Sequence, residues 1–425
     1  MTTAPTARLS LMMFLQFFVW GAWYVSMTGW MNAAGISGLT GWAYTVGPIA
    51  ALISPFFLGM VADRFFATQR VLGVLHMLGG VALLAVPGVV AAANQPAPDA
   101  ASASITHPYI LLLLAHMLCY MPTLGLTNTL CFHHMSDPAK QFPVVRVFGT
   151  IGWIVGNIVV GGSLDAWGLK GLTWIAEGDK SPMQFFIAGG AGVALGLFSF
   201  ALPHTPPPAA GTKASVRQVL GLDSLRLLAR PGYAVFILCS FLICIPLAGY
   251  YGWGRSFVDH VGFSNATLTM SYGQMSEIVF MLLMPLCFAR LGFKWMLAAG
   301  MAAWIARYGL FSAAAADKVI WMTLIGVILH GICYDFFFVT GFIYVDKQAP
   351  KEIRGQAQGF LVLVTQGLGL GLGAQLFARL SARYTKGEGS AAVVDWGSIW
   401  LVPCIFAAVV LVLFVVTFRN RRAGI

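Results

Sequence analysis

Two acids in this 425-residue chain stand where an acid is expensive. Glu277 lies in SYGQMSEIVFMLLMP, with seven apolar residues among the eight that follow it, and Asp335 lies in YDFFF. An ionised carboxylate on the lipid face of a membrane helix costs about 2.5 to 3.5 kcal/mol on insertion scales, so both must face something other than hydrocarbon. The chemistry open to them is proton uptake and release, or hydrogen bonding to a polar solute. The plainer uses are a structural pair with a buried base for Glu277, and a hydroxyl or backbone hydrogen bond to a neighbouring helix for Asp335.

Other polar residues recur at helical spacing. Arg146, Thr150 and Trp153 stand at i, i+4 and i+7 and share one helix face. Gln274 and Glu277 share another at i, i+3, and His330 and Tyr334 a third at i, i+4. A cation, hydroxyl, amide, acid, imidazole and aromatic rings converging on one cavity would suit a neutral, planar, hydrogen-bonding solute. Trp20, Trp23 and Tyr24 can add aromatic wall, or serve as interfacial belt or core.

The elements that position these residues follow from composition. With 58% apolar and 9% charged residues the chain cannot cover a soluble globule, and runs of about 20 apolar residues recur along its whole length. The reading is an all-α, polytopic membrane protein with twelve transmembrane helices in two six-helix halves. The spans run over about 9–33, 40–62, 69–93, 108–134, 144–163 and 183–203, then 233–254, 266–289, 293–315, 319–345, 355–380 and 396–418. Residues 1–203 and 233–425 form the halves, and the polar stretch 204–232 between them carries a basic, leucine-rich segment expected as an amphipathic helix on the cytoplasmic face. The first span is long and reads as retained, not as a cleaved leader. Of 25 Lys and Arg, 17 fall on one side if both termini are cytoplasmic and 8 on the other, which selects that orientation in a plasma (inner) membrane. The net charge of +10 is then a topology signal and implies no nucleic acid.

Seven cysteines inside or at the ends of apolar spans, without CxxC spacing, read as small core residues. His133 and His134 are adjacent and do not share a face, so no metal is expected. No nucleophile motif or soluble catalytic domain supports an enzyme, and the soluble parts are short for a transporter-like sensor. Glycine pairs at Gly355 and Gly359, Gly367 and Gly371, Gly369 and Gly373, and Gly152 and Gly156 are spaced for close helix approach.

Parallel segments repeat between the halves, with Arg146 answered by Arg354. Such an arrangement is the architecture of a major facilitator transporter with a midplane site. Gly59, Asp63 and Arg64, at the hinge after span 2, resemble the G-x-x-x-D-R pattern of that superfamily and imply a conformational latch. Six stretches in order, FLQFFVWGAW, YMPTLGLTNTL, FPVVRVFGTIGW, LGLDSL, QMSEIVF and YDFFFVTG, resemble the nucleoside:H+ symporter family of the major facilitator superfamily. The resemblance implies that Arg146, Thr150, Trp153, Gln274 and Glu277 line a nucleoside site, with Glu277 the natural coupling acid and Asp335 the other candidate. It implies no cofactor beyond a proton gradient, and as partners a nucleoside-like solute, protons and lipid around a monomer. The chain departs from the family at Ala248 and Tyr251, where a glutamine and an asparagine are usual. His330 stands where tyrosine is usual and Tyr334 where phenylalanine is usual, so a sugar or nucleobase remains an alternative solute.

Overall fold

The structure is a computed structural model that describes residues 3–57, 65–92, 104–136, 138–164, 169, 171–207, 222–350, 353–387 and 392–419. Apolar sequence of bilayer length folds as helix throughout, because a backbone in hydrocarbon must satisfy its own hydrogen bonds. Among the described residues nine helices are long and apolar enough to cross a membrane. One of them, Ala266–Ala314, holds two spans joined at Gly292, whose φ of 61° breaks the helix between the expected spans 8 and 9. Helices Thr40–Phe57 and Met183–Ser199 supply spans 2 and 6, so twelve spans are present.

The chain divides into two compact units, Met1–Val219 and Leu220–Ile425. In the first, span 1 (Thr6–Ala33) packs on span 5 (Val144–Gly161), span 2 on span 4 (Pro108–His134), and span 3 (Thr68–Ala92) on span 6. In the second, span 7 (Pro231–Val261) packs on span 11 (Arg354–Arg383), span 8 on span 10 (Ile320–Gln348), and span 9 on span 12 (Trp396–Thr417). The pairings of one unit recur in the other, displaced by six spans, as the repeated segments require. Close approach is set by glycine where the pairs meet. A Cβ on Gly152 would strike the Phe14 backbone, and one on Gly156 would lie 2.8 Å from Phe18 O. Gly369 and Gly373 likewise seat span 11 against Cys244 and Ile245 of span 7. Gly355 and Gly359 differ from expectation: a Cβ on either meets nothing within 4 Å, so that pair mediates no close packing here.

Two further expectations change. Arg255 and Arg307, counted among the eight basic residues of the non-cytoplasmic side, are buried inside spans 7 and 9. The described end of the central segment, Leu222–Ala229, is a 3₁₀ helix that buries Ser224 and Leu227 against spans 7 and 11. The latch residues Gly59, Asp63 and Arg64 lie outside the described residues.

Candidate functional site

The second unit brings its acid and its imidazole together. Glu277 Oε1 lies 3.1 Å from His330 Nε2, with the His330 side chain buried and that of Glu277 14% exposed. One hydrogen must occupy such a contact. Either the imidazole N–H donates to a carboxylate or a carboxylic acid donates to the bare ring nitrogen, so the proton belongs to the pair. Span 10 makes this possible by abandoning regular α-geometry: the helix is interrupted at Leu329, resumes over His330–Cys333, and widens to a π-helix over Tyr334–Val339. Such π-segments are frequent at functional sites.

Aromatic groups surround the pair. Tyr250 stacks on His330 with centroids 5.1 Å apart and Tyr251 meets it edge-on at 6.3 Å. The Tyr334 ring is 6.1 Å from His330. Behind Tyr250, Arg307 is fully buried, with its guanidinium 4.0 Å from the Tyr250 ring centre. Asp335 is fully buried too, and among the described residues neither carboxyl oxygen has a hydrogen-bond partner. Gln274 is buried with its carbonyl oxygen unpartnered among the described residues. This unit therefore buries polar atoms that have no hydrogen-bond partner among the described residues.

The first unit builds an aromatic wall. Trp153 meets Trp20 edge-on with centroids 5.3 Å apart, Trp20 meets Tyr120 at 5.4 Å, and Tyr24 lies 6.3 Å from Trp153. The indole N–H groups of Trp20 and Trp153 are buried and unpartnered among the described residues. A buried network backs this wall: His76 Nε2 lies 2.7 Å from Gln16 Oε1, Gln16 Nε2 donates to Thr123 Oγ1 at 2.7 Å, and the Tyr120 hydroxyl donates to Gln16 O at 2.7 Å. Arg146 stands over the Phe17 ring at 4.1 Å, and Thr150, four residues on, is half-buried.

Each unit thus gathers its own expected residues, Arg146, Thr150 and Trp153 on one helix of the first and Gln274, Glu277, Tyr251, His330, Tyr334 and Asp335 in the second. Trp23 meets Tyr24 edge-on with centroids 5.7 Å apart and also packs against His116 and Phe185. Ala248 is buried where a Cβ on Gly373 would lie 2.8 Å from its methyl, so it faces span 11 and not the pair. Arg307 and Tyr250, and the Gln16, His76, Thr123 and Tyr120 network, were not singled out in the sequence. Mid-span His76, in VLHMLGG, and Arg307, in IARYGLF, are the polar signals that could have revealed them.

The family model for the nucleoside H+ symporter matches residues 1–423. The chain belongs to that family. It is 38% identical to the putative nucleoside transporter YegT of Escherichia coli (strain K12) over 98% of this chain and 94% of that protein. Nucleoside permease NupG of the same strain is 29% identical over 98% of this chain and 97% of its own length. The crystal structure of nucleoside transporter NupG superposes with a TM-score of 0.81 at 27% identity, covering 99% of this chain and all of that one. A D-xylose-proton symporter shares the fold, with a TM-score of 0.72 at 12% identity over 99% of both chains. This transporter is therefore a multi-pass membrane protein of the symport class and not an enzyme.

Proposed function

We propose that this transporter imports nucleosides or nucleoside-like solutes together with protons, by alternating access, in the inner membrane with both termini cytoplasmic. Its membership of the nucleoside H+ symporter family supports the substrate class. The observation that carries the coupling is the Glu277–His330 contact at 3.1 Å, a shared-proton pair in a span interior. A titratable pair at that depth has no structural need for its charge, and intramembrane acids mark ion pathways. Asp335 is the second candidate for the transported proton. Arg146, Thr150, Trp153, Gln274, Tyr251 and Tyr334 contribute hydrogen bonds and stacking surface to the solute. Gly59, Asp63 and Arg64 latch one conformation, and the protein works as a monomer.

The replacements at His330, Tyr334 and Tyr251 favour a solute preference shifted from that of the permeases, reaching to a nucleobase or sugar. Reconstitution into liposomes tests the whole reading. Radiolabelled uridine should accumulate above its external concentration when the outside is acidic, and a protonophore should abolish that accumulation. Equilibration without accumulation would identify a facilitator, and accumulation of hexoses but not uridine would remove the nucleoside assignment.

A further inference from the structure

The interruption of span 10 is tied to span 8 through one hydroxyl. Ser276 Oγ accepts the Gly331 N–H at 3.0 Å and lies 2.7 Å from Ile328 O, to which it can donate. Its own-helix acceptor, Gly273 O, lies 2.6 Å away, so the single hydroxyl hydrogen serves a carbonyl on either helix. Ile328 and Gly331 flank the break at Leu329. The backbones touch there: a Cβ on Gly331 would lie 2.6 Å from Ser276 C, and one on Gly273 would lie 3.0 Å from His330 Cβ. A serine that merely bonds back along its own helix is common. This one also meets a donor and an acceptor across the helix pair. Ser276 immediately precedes Glu277, and Gly331 immediately follows His330.

We propose that Ser276 is the positioning residue for proton coupling, holding the span 10 break against span 8 so that Glu277 and His330 share one proton. The inference rests on the coupling role given to that pair under the proposed function. The groups facing the pair are Tyr250 and Tyr251 on span 7, Arg307 on span 9, and Tyr334 and Asp335 on span 10 itself. None of these is bonded to Ser276 in the contacts above. Removing its hydroxyl therefore loosens the geometry of the pair while leaving its electrostatic surroundings in place.

The test is the pH profile of initial uridine uptake by reconstituted protein, with thermal midpoints as the folding control. Ser276→Ala should move the pH of half-maximal rate by about half a unit or more, the size of effect that one hydrogen bond can exert on a titration. Ser276→Cys, close in shape but weak as a hydrogen-bonding group, should move it less, and decides the matter if the alanine variant fails to fold. In a His330→Tyr background, Ser276→Ala should add no shift. A folded Ser276→Ala protein with an unmoved profile overturns the proposal, as does an unmoved Ser276→Cys profile where the alanine variant does not fold, or an equal shift in both backgrounds. Glu277→Gln separates the two readings. If that variant still accumulates uridine in a pH gradient, the coupling reading fails and this one with it. If it does not, an unmoved Ser276 profile removes the positioning role alone.

Discussion

The guanidinium of Arg307 lies 4.0 Å over the ring of Tyr250, and among the described residues no carboxylate pairs with it. Its Nε–H donates to Gly326 O at 3.0 Å, while its two terminal nitrogens lack hydrogen-bond partners among the described residues. A cation–π contact away from water contributes about 2 kcal/mol, less than the several kcal/mol that desolvating a charge costs. Stability alone does not account for a charge held in this way. Replacing a buried charge by an apolar side chain of similar volume is often neutral or stabilising. Arg307→Met should therefore keep the thermal midpoint within about 5 °C of wild type, given shifts of a few degrees per kcal/mol in a chain of this size, and should lower uridine uptake at least tenfold. Loss of folding in step with loss of uptake would make Arg307 a structural residue.

Glu277→Gln preserves shape and hydrogen bonding to His330 but removes the titrating oxygen. Accumulation driven by a pH gradient should vanish, while counterflow of preloaded uridine, which needs no net proton movement, should persist. If accumulation still follows the gradient, Asp335 carries the proton, and Asp335→Asn should then abolish it. The two variants measured side by side assign the coupling acid.

Much of the fold was legible because a bilayer imposes a length on apolar sequence. All twelve spans could be read from runs of about 20 residues, and the expected division between spans 8 and 9 coincides with the positive φ of Gly292. The site was legible only in part. Glu277 stood out by its cost in hydrocarbon, yet its contact with His330, 53 positions along the chain, depends on a break and a π-segment in span 10 that a uniform 3.6-residue period cannot express. Arg307 was hidden by bookkeeping of another kind: a charge tally assigns basic residues to loops, and only the packing shows that this one is interior. Gly355 and Gly359 show the converse, a motif spacing without a partner helix against it.

Outside the membrane, span 12 begins with an acid whose protonation is readable in stability. Asp395 accepts the Ser398 N–H at 3.0 Å at the helix N-terminus, and hydrogen bonding to Ser398 holds its carboxyl below the ordinary value. A depressed folded-state pKa adds stability that is present above the unfolded value of about 3.9 and disappears as pH falls through the folded value. The group is almost fully solvated, so the contribution is small. Asp395→Asn keeps a capping acceptor but cannot titrate, and should flatten the fall in thermal midpoint between pH 6 and pH 3. Asp395→Ala should lower the midpoint at pH 6 by an amount equivalent to about 0.5–2 kcal/mol. Equal acid sensitivity in wild type and Asp395→Asn would assign the fall to other carboxyls.

On the proposed function, selectivity rests on the same imidazole that contacts Glu277. His330 offers one ring nitrogen to Glu277, while its Nδ1 is buried and without a partner among the described residues. It stacks on Tyr250 and sits edge-on to Tyr251, so exchanging it for tyrosine preserves stacking but replaces a titrating group by a phenol. A polar partner gained or lost at a buried contact changes affinity by about 1–3 kcal/mol, roughly 5-fold to 150-fold. His330→Tyr should accordingly reorder competition among purine nucleosides, pyrimidine nucleosides and free bases against uridine uptake. The new order should approach that of NupG measured in parallel. An unchanged ranking would show that His330 does not read the solute, and an unchanged ranking with an altered pH response would confine it to the proton.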